Sequence, residues 1–304
     1  MNQDINKIIE YYQDEVTKIN KKYNYPSNIA HLLYLIIPSF IMKYGIKKDK
    51  MILSVFKNIP IYINSKEDKK VQAYYASIPK RREKELYTKK YIVVNYYKNA
   101  SLPNLIENLV HEFNHALNSY NNELYRKKNT LYVRCGISYI TYRYDTLAVI
   151  DKDDRSILEE ILNTKQTQDI MNILLRTDEN KISKTEVSNI IYSLKREIPY
   201  PYSSNSYYVH VTICKYLLEN KTFVNTLNVL RMNGDIGNIT EWFDDITGNK
   251  GSYEKLLQKL NEVVKLTREY DQTIWKKITI RKILSRSDEI KRIIENFNNN
   301  CSYK

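Results

Sequence analysis

The stretch SLPNLIENLVHEFNHALNSY, residues 101–120, combines a helical pattern with a short run of metal-binding side chains. Its apolar residues recur every three or four positions: Leu102, Leu105, Ile106, Leu109, Val110, Phe113 and Leu117. Ser101 stands where an N-cap is expected, so the stretch predicts one amphipathic helix. His111 and His115 are four residues apart and therefore share one face of that helix.

These two histidines and Glu112 read H-E-x-x-H, the pattern of a helix in zinc hydrolases. Two imidazoles one turn apart can bind one Zn²⁺. Glu112 beside them can take a proton from the zinc-bound water, whose pKa the metal lowers towards ~7. Only four histidines occur in 304 residues, and two of them form this pattern. The spacing therefore predicts one zinc ion per chain with Glu112 as general base, rather than a helix that holds two histidines by accident.

A catalytic zinc needs a third protein ligand. Asn118 and Asn121 stand where the metzincin extension requires glycine and histidine, which excludes that class. The segment 155–175 predicts a second helix, in which Glu159 and Glu160 lie between apolar residues. An acidic side chain in an apolar frame is costly unless a cation or a donor is near. The alternative is that both glutamates lie on the solvated edge of this helix.

Consecutive helical residues point ~100° apart, so only one of the two glutamates can face the ion. Glu160 shares its face with polar residues at +3, +4 and +7, whereas Glu159 would bring Leu162 towards the site. Asn163 or Thr164 could then support a ligand imidazole through its second N–H. Helix geometry therefore favours Glu160 as the third ligand. It predicts that Glu160→Ala weakens zinc binding by at least ~10-fold, with Glu159→Ala nearly silent.

The surrounding segments indicate a small sheet ahead of the active-site helix. Residues 59–64, 71–78 and 90–97 are rich in β-branched and aromatic side chains and predict strands. Residues 131–144 predict a pair of strands with Gly136 at or near the turn. From about residue 183 the pattern is helical almost to the end of the chain.

The order of an AYYAS strand, a YIVVN strand, the HEFNHAL helix and the LEEILNT helix resembles the gluzincins, the thermolysin-like zinc peptidases. The nearest likeness is to uncharacterised bacterial H-E-x-x-H proteins, in which an R-x-G strand like VRCGIS precedes the second helix. The likeness covers roughly residues 55–175. It implies hydrolysis of peptide bonds and places Glu160 at the ligand position and Glu159 at the position of an asparagine. Thr164 stands where the family often has a supporting aspartate.

Two further features follow from the resemblance. The strand at 72–78 would form a sheet edge along which an extended peptide pairs by main-chain hydrogen bonds. A tyrosine or histidine downstream of the third ligand would stabilise the oxyanion. His210 is the favoured donor, with Tyr208 and Tyr207 as alternatives, although a structural role for His210 is equally compatible with the sequence. His31, in an apolar helix, reads as a core histidine.

The expected fold is α+β, a zincin-like core with a small mixed sheet and an active-site helix, followed by an all-helical C-terminal region. The expected domains are residues 1–180, the metallopeptidase domain with its N-terminal helices, and residues 181–304, the helical domain. The single boundary lies near residue 180, where the strand and helix pattern gives way to helices alone.

The formal net charge of +13 raises the question of an anionic partner. The basic residues form no long stripe, so the sequence favours a peptide or protein substrate and keeps nucleic acid as an alternative. A zinc-binding scaffold without activity and a protease specific for one protein are further alternatives. Three cysteines at unrelated spacings indicate a reducing compartment. The N-terminus does not read as a signal peptide and no segment is long enough to span a membrane, so a cytoplasmic location is expected.

Overall fold

In the computed structural model of the chain, the described residues are 4–64, 72–83, 85–95, 101–121, 124–152, 155–204, 208–234, 237–272 and 276–301. They form α-helices and two small β-sheets. The helices are α1 (Ile5–Tyr11), α2 (Gln13–Tyr23), α3 (Ser27–Tyr44), α4 (Asp49–Asn58), α5 (Leu102–Asn118), α6 (Ser156–Leu175), α7 (Thr185–Glu197), α8 (Tyr208–Ile213), α9 (Lys215–Glu219), α10 (Lys221–Asn233), α11 (Ile239–Thr247), α12 (Ser252–Gln272) and α13 (Lys276–Cys301). The strands are β1 (Ile61–Asn64), β2 (Ala73–Arg82), β3 (Glu85–Asn95), β4 (Leu124–Lys127), β5 (Thr130–Cys135), β6 (Ser138–Arg143) and β7 (Val149–Lys152).

The first sheet has the order β1-β3-β2, in which β3 runs parallel to β1 and antiparallel to β2. The second sheet is an antiparallel meander in the order β4-β5-β6-β7. Between β5 and β6 the chain turns at Gly136, whose φ of 60° lies in the left-handed region that glycine adopts without steric cost. The α+β class, with small sheets and an all-helical C-terminal region, is confirmed.

The chain divides into two compact units, each built from two stretches of sequence. Unit 1 consists of residues 1–117 and 166–204, and unit 2 of residues 118–165 and 205–304.

This interleaved division differs from the single boundary near residue 180 that the sequence favours. Helix α7 lies beyond that boundary, yet it packs on α3 and belongs to unit 1. Its apolar face, formed by Val187, Ile191 and Leu194, is fully buried. Helix α6 is continuous through the division after Lys165, so its first half belongs to unit 2 and its second half to unit 1.

The core of unit 1 is built around α3. Ten consecutive residues of this helix, from Leu32 to Ile41, are buried, and a helix that is apolar on all sides is stable only when it is surrounded by protein. Phe40 of α3 meets Phe56 of α4 edge to face, with ring centroids 5.4 Å apart. Phe56 in turn stacks on Phe113 of α5 at 3.9 Å. These rings fix α5 to the centre of unit 1.

The core of unit 2 joins the first half of α6 to the C-terminal helices. Leu158 and Ile161 of α6 are fully buried in the same apolar cluster as Phe223, Phe243 and Phe297. The rings of Phe243 and Phe297 stack with centroids 4.7 Å apart. Burial of this face therefore fixes the rotation of α6 about its own axis.

Among the described residues, no single helix has both the length and the apolar character needed to cross a membrane. The pair 27–44 and 46–58 satisfies both criteria only when taken together, and it is bent by 113°.

Candidate metal centre

Helix α5 presents the two histidines side by side. It begins where the sequence predicts, because the backbone N–H of Asn104 donates to Oγ of Ser101 at 3.4 Å. The imidazole rings of His111 and His115 lie with centroids 4.9 Å apart and planes at 78°. His115 is buried and His111 is half-buried. The i, i+4 spacing thus places two nitrogen ligands on one face of a helix whose other face is held by the core.

Glu160 of α6 forms, with these histidines, a group of three side chains that could hold a metal ion. One ligand atom from each of His111, His115 and Glu160 lies within 4.8 Å of the other two. Atoms that bind the same zinc ion at ~2.1 Å are at most ~4.2 Å apart, so small side-chain rotations would bring all three to one ion. The sequence-derived ligand set is therefore a spatial group, with two imidazoles and one carboxylate.

Glu112 lies next to the edge of the first sheet. Glu112 is only 8% exposed, and its Oε2 accepts a hydrogen bond from the backbone N–H of Tyr75 at 2.6 Å. The C=O of Gln72 accepts from Asn95 of β3. The backbone N–H and C=O groups of successive residues point to opposite edges of a strand. Those of Tyr75, three residues after Gln72, therefore point to the outer edge of β2. The predicted edge strand is therefore a sheet edge, and its backbone holds the carboxylate of Glu112.

The two glutamates of α6 have different surroundings. Glu159 is 1% exposed and forms a buried ion pair with Arg231. Its Oε2 accepts from Arg231 Nε at 3.0 Å and from the backbone N–H of Ile137 at 2.9 Å. The solvated-edge alternative is thus wrong for Glu159. We therefore expect Glu159→Ala to lower the stability of the fold, because it leaves the buried charge of Arg231 unpaired.

The turn between β5 and β6 fits around Glu159. A Cβ atom on Gly136 would lie 2.0 Å from the carboxyl carbon of Glu159, closer than any side chain could tolerate. The sequence reasoning placed Gly136 at a turn but not its contact with α6. This glycine is therefore required twice, for its φ of 60° and for the close approach of the carboxylate.

Asn114, inside the H-E-x-x-H pattern, connects α5 to two other helices. It is fully buried, its Oδ1 accepts from the hydroxyl of Tyr44 at 2.7 Å, and its Nδ2 donates to Oγ1 of Thr167 at 3.3 Å. Tyr44 ends α3 and Thr167 lies on α6. This residue, which precedes His115 directly, thus sets the position of α5 against its neighbours.

A polar stripe follows Glu160 along α6, as its helical spacing predicts. Asn163, Thr164 and Thr167 are all buried. Oγ1 of Thr164 has no hydrogen-bond partner among the described residues. A buried hydroxyl without a partner costs about 1–3 kcal/mol. Because Thr164 lies one turn after Glu160, this hydroxyl is on the same side of α6 as Glu160 and can accept or donate a hydrogen bond there.

The proposed oxyanion donors lie at the start of α8. His210 is buried in unit 2, and burial together with the nearby Arg268 lowers the pKa of its imidazole below the usual value. Tyr208 begins α8, and Tyr207 lies outside the described residues. The assignment of a donor role to any of the three stays a prediction.

Several residues that shape the site have no signal in the local sequence pattern. Arg231 is 72 residues from Glu159 along the chain, and Asn114 occupies a position that the H-E-x-x-H pattern leaves open. Arg134 had a weak signal, because it interrupts an apolar strand between Val133 and Cys135. An arginine in that position needs buried acceptors, which are backbone carbonyl groups in this fold.

Comparison with known proteins gives no family for this chain: no protein-family model, curated protein or solved structure matches it.

Proposed function

We propose that this protein is a zinc-dependent peptidase in which His111, His115 and Glu160 hold one Zn²⁺. The proposal is supported mainly by one observation, the convergence of these three ligand types within 4.8 Å on two different helices. Histidine is rare in the sequence, so two of four histidines meeting a carboxylate in this way is not expected of an ordinary helix pair. Two imidazoles and one carboxylate form the ligand set of a catalytic zinc that keeps one position open.

The polar surroundings of the ligands also fit a metal. Ligand histidines commonly donate their second N–H to an oxygen, and the buried hydroxyl of Thr164 is an acceptor that lacks a partner among the described residues. Ligand carboxylates need a fixed backbone, and α6 is buried on nearly all sides. The donor set and its supporting groups are therefore those that Zn²⁺ requires.

When bound, Zn²⁺ would supply a Lewis acid that polarises the scissile carbonyl and lowers the pKa of a coordinated water. Glu112 acts as the general base: it takes a proton from the attacking water and returns it to the leaving amine. The Tyr75 N–H fixes the orientation of the Glu112 carboxylate through a 2.6 Å hydrogen bond. Burial limits access of bulk water to that carboxylate. Catalysis by this residue therefore depends on both α5 and the edge of β2.

The substrate is proposed to be an extended peptide. β2 is one edge of its sheet, and Tyr75 turns its backbone groups towards this edge, beside Glu112. Because the Tyr75 N–H is bonded to Glu112, a peptide would pair with main-chain groups elsewhere along this edge and so lie next to the general base. The edge strand and the base together favour peptide over small-molecule substrates.

The oxyanion donor is proposed to come from the chain that follows Ser204. The hydroxyl of Ser204 donates to the carboxylate of Glu107, one helical turn before His111. Tyr208 follows Ser204 by four residues along the chain, and Tyr207 lies outside the described residues. His210, in the first turns of α8, is kept neutral by burial and can donate one N–H. The chemistry of these side chains therefore supports a donor from the segment that contains Tyr207, Tyr208 and His210.

Metal analysis of the purified protein tests the proposal. We expect about one zinc per chain in the wild type and its loss in His111→Ala and in His115→Ala, because each change removes a ligand. His31→Ala is the matched control, since His31 is a half-buried histidine of α3 outside the ligand group, and it should keep the metal. Stoichiometric zinc that survives both ligand substitutions would refute the proposed site. A wild type that binds zinc but cleaves no peptide pool would favour the inactive scaffold.

A further inference from the structure

Unit 2 contains a buried cluster of charges that the proposed mechanism does not use. Arg134 and Arg231 are both 0% exposed, and the carboxylate of Glu159 lies with them. Two guanidinium groups and one carboxylate leave one positive charge, which is costly to bury unless it is hydrogen-bonded. We call these three residues the arginine–glutamate network.

Hydrogen bonds from Arg134 to backbone carbonyl groups offset the cost of burying its charge. Its Nη1 donates to the C=O of Asn118 at 2.7 Å, of Gly136 at 2.6 Å and of Arg231 at 2.7 Å. Its Nε donates to the C=O of Asn121 at 3.2 Å. Asn118 is the last residue of α5, so the guanidinium satisfies a carbonyl that has no partner in the helix. Its positive charge also suits the negative end of the α5 dipole.

Glu159 ties the same cluster to α6. Its two carboxylate oxygens are held by the guanidinium of Arg231, and Oε2 also accepts from the N–H of Ile137. Gly136, whose carbonyl binds Arg134, leaves the space into which the carboxylate fits. The network therefore connects the C-terminus of α5, the β5–β6 turn and the first turn of α6.

The first turn of α6 also holds a ligand. Glu160 follows Glu159 directly, so the two side chains differ in direction by about 100°. Because several hydrogen bonds fix Glu159, the rotation of this turn is fixed, and with it the direction in which Glu160 points. The C-terminal end of α5, three residues after His115, is held by the same network through Asn118.

We propose that Arg134, Glu159 and Arg231 act as a positioning network that fixes Glu160 for the metal, so that the affinity for Zn²⁺ depends on residues that do not touch the ion. The inference rests on the proposed zinc site. It predicts that neutralising Glu159 weakens zinc binding through Glu160, and not merely through a loss of stability.

A double-mutant cycle tests this inference. Zinc affinity is measured by competition with a chromophoric chelator for the wild type, Glu159→Gln, Glu160→Gln and the double variant, at a temperature where circular dichroism shows all four folded. Glu159→Gln should weaken binding about 10-fold, as for residues that support metal ligands. The double variant should bind no more weakly than Glu160→Gln alone, since Glu159 acts through Glu160. Arg231→Lys, which keeps the charge but loses the two-pronged contact, replaces Glu159→Gln if that variant does not fold.

Glu289→Gln is the control, because Glu289 also pairs with an arginine in unit 2, at 2.6 Å, but on the surface. Its zinc affinity should equal that of the wild type. The inference is overturned if Glu159→Gln binds as tightly as the wild type, or if its effect persists in full beside Glu160→Gln. A wild type without zinc, or with zinc that survives His111→Ala, would instead refute the proposed function and remove the basis of the network.

Discussion

At the scale of single residues, the two adjacent glutamates of α6 show how consecutive positions on a helix can have different surroundings. Glu159 and Glu160 have the same chemistry and nearly the same position in the chain. Glu159 points to Arg231 and is 1% exposed, whereas Glu160 is half-buried and approaches His111 and His115. A carboxylate among apolar residues needs a cation, as the sequence argument requires. The cation is Arg231 for Glu159 and, as proposed, a metal ion for Glu160.

A prediction at this scale concerns Glu112. Glu112→Gln should retain about one zinc per chain, because the residue is not a ligand, and should lower the rate of peptide hydrolysis by at least ~10²-fold, the lower range for loss of a general base. Glutamine keeps the shape of the side chain but cannot accept the proton. The measurement is kcat on a peptide pool together with metal content. Glu186→Gln, an exposed glutamate of α7 outside the ligand group, is the control for the loss of one carboxylate charge. Turnover equal to that of the wild type would remove Glu112 from the mechanism.

At the scale of secondary-structure elements, the position of α5 depends on contacts at several points along its length. Phe113 stacks on Phe56 of α4, Asn114 bonds to α3 and α6, and Arg134 of β5 binds the carbonyl of Asn118. His115 lies between these contacts, and His111 lies two residues before the first of them. If His111 and His115 bind a metal as proposed, a pair on a helix held in this way would need little ordering on binding.

The prediction at this scale concerns Asn114. Asn114→Ala should lower the free energy of unfolding by about 1–3 kcal/mol, because it removes the hydrogen bonds that this buried side chain makes with the half-buried Tyr44 and the buried Thr167. Urea denaturation measures the change. Asn104→Ala is the control on the same helix, since its side chain is exposed and its loss should stay within about 0.5 kcal/mol. Equal destabilisation by the two variants would show that Asn114 does not link the helices.

At the scale of the whole molecule, local patterns predicted most elements but not the contacts between distant ones. The helical period of residues 101–120 predicted α5 to within two residues at its end, and the turn at Gly136 was found where the strand pair required it. Helix α4 and the edge strands β4 and β7 were not predicted, because each is short and has no long periodic run. The pairing of Glu159 with Arg231 spans 72 residues, and no local pattern specifies such a contact.

The lowered pKa of His210 predicts that the stability of the protein depends on pH. Burial, with a smaller contribution from Arg268, lowers the pKa of its imidazole from the ordinary 6.5. As pH falls through about 6.5, the unfolded chain takes up a proton at this histidine before the folded protein does, so protonation favours unfolding. The contribution of the neutral His210 to the free energy of unfolding is therefore fully present above about pH 6.5. It is lost progressively below that value until the folded protein is protonated as well.

We therefore expect the free energy of unfolding to fall between pH 7.5 and pH 5.5, and to fall less in His210→Asn, which has no group that titrates in this range. Urea unfolding at both pH values, in the presence of a chelator so that metal release does not contribute, measures the two differences. His31→Asn is the control for the removal of a histidine that is only half-buried. If the wild type and His210→Asn lose the same stability over this interval, His210 is not the residue that couples folding to pH, and its imidazole is solvated more than its buried position implies.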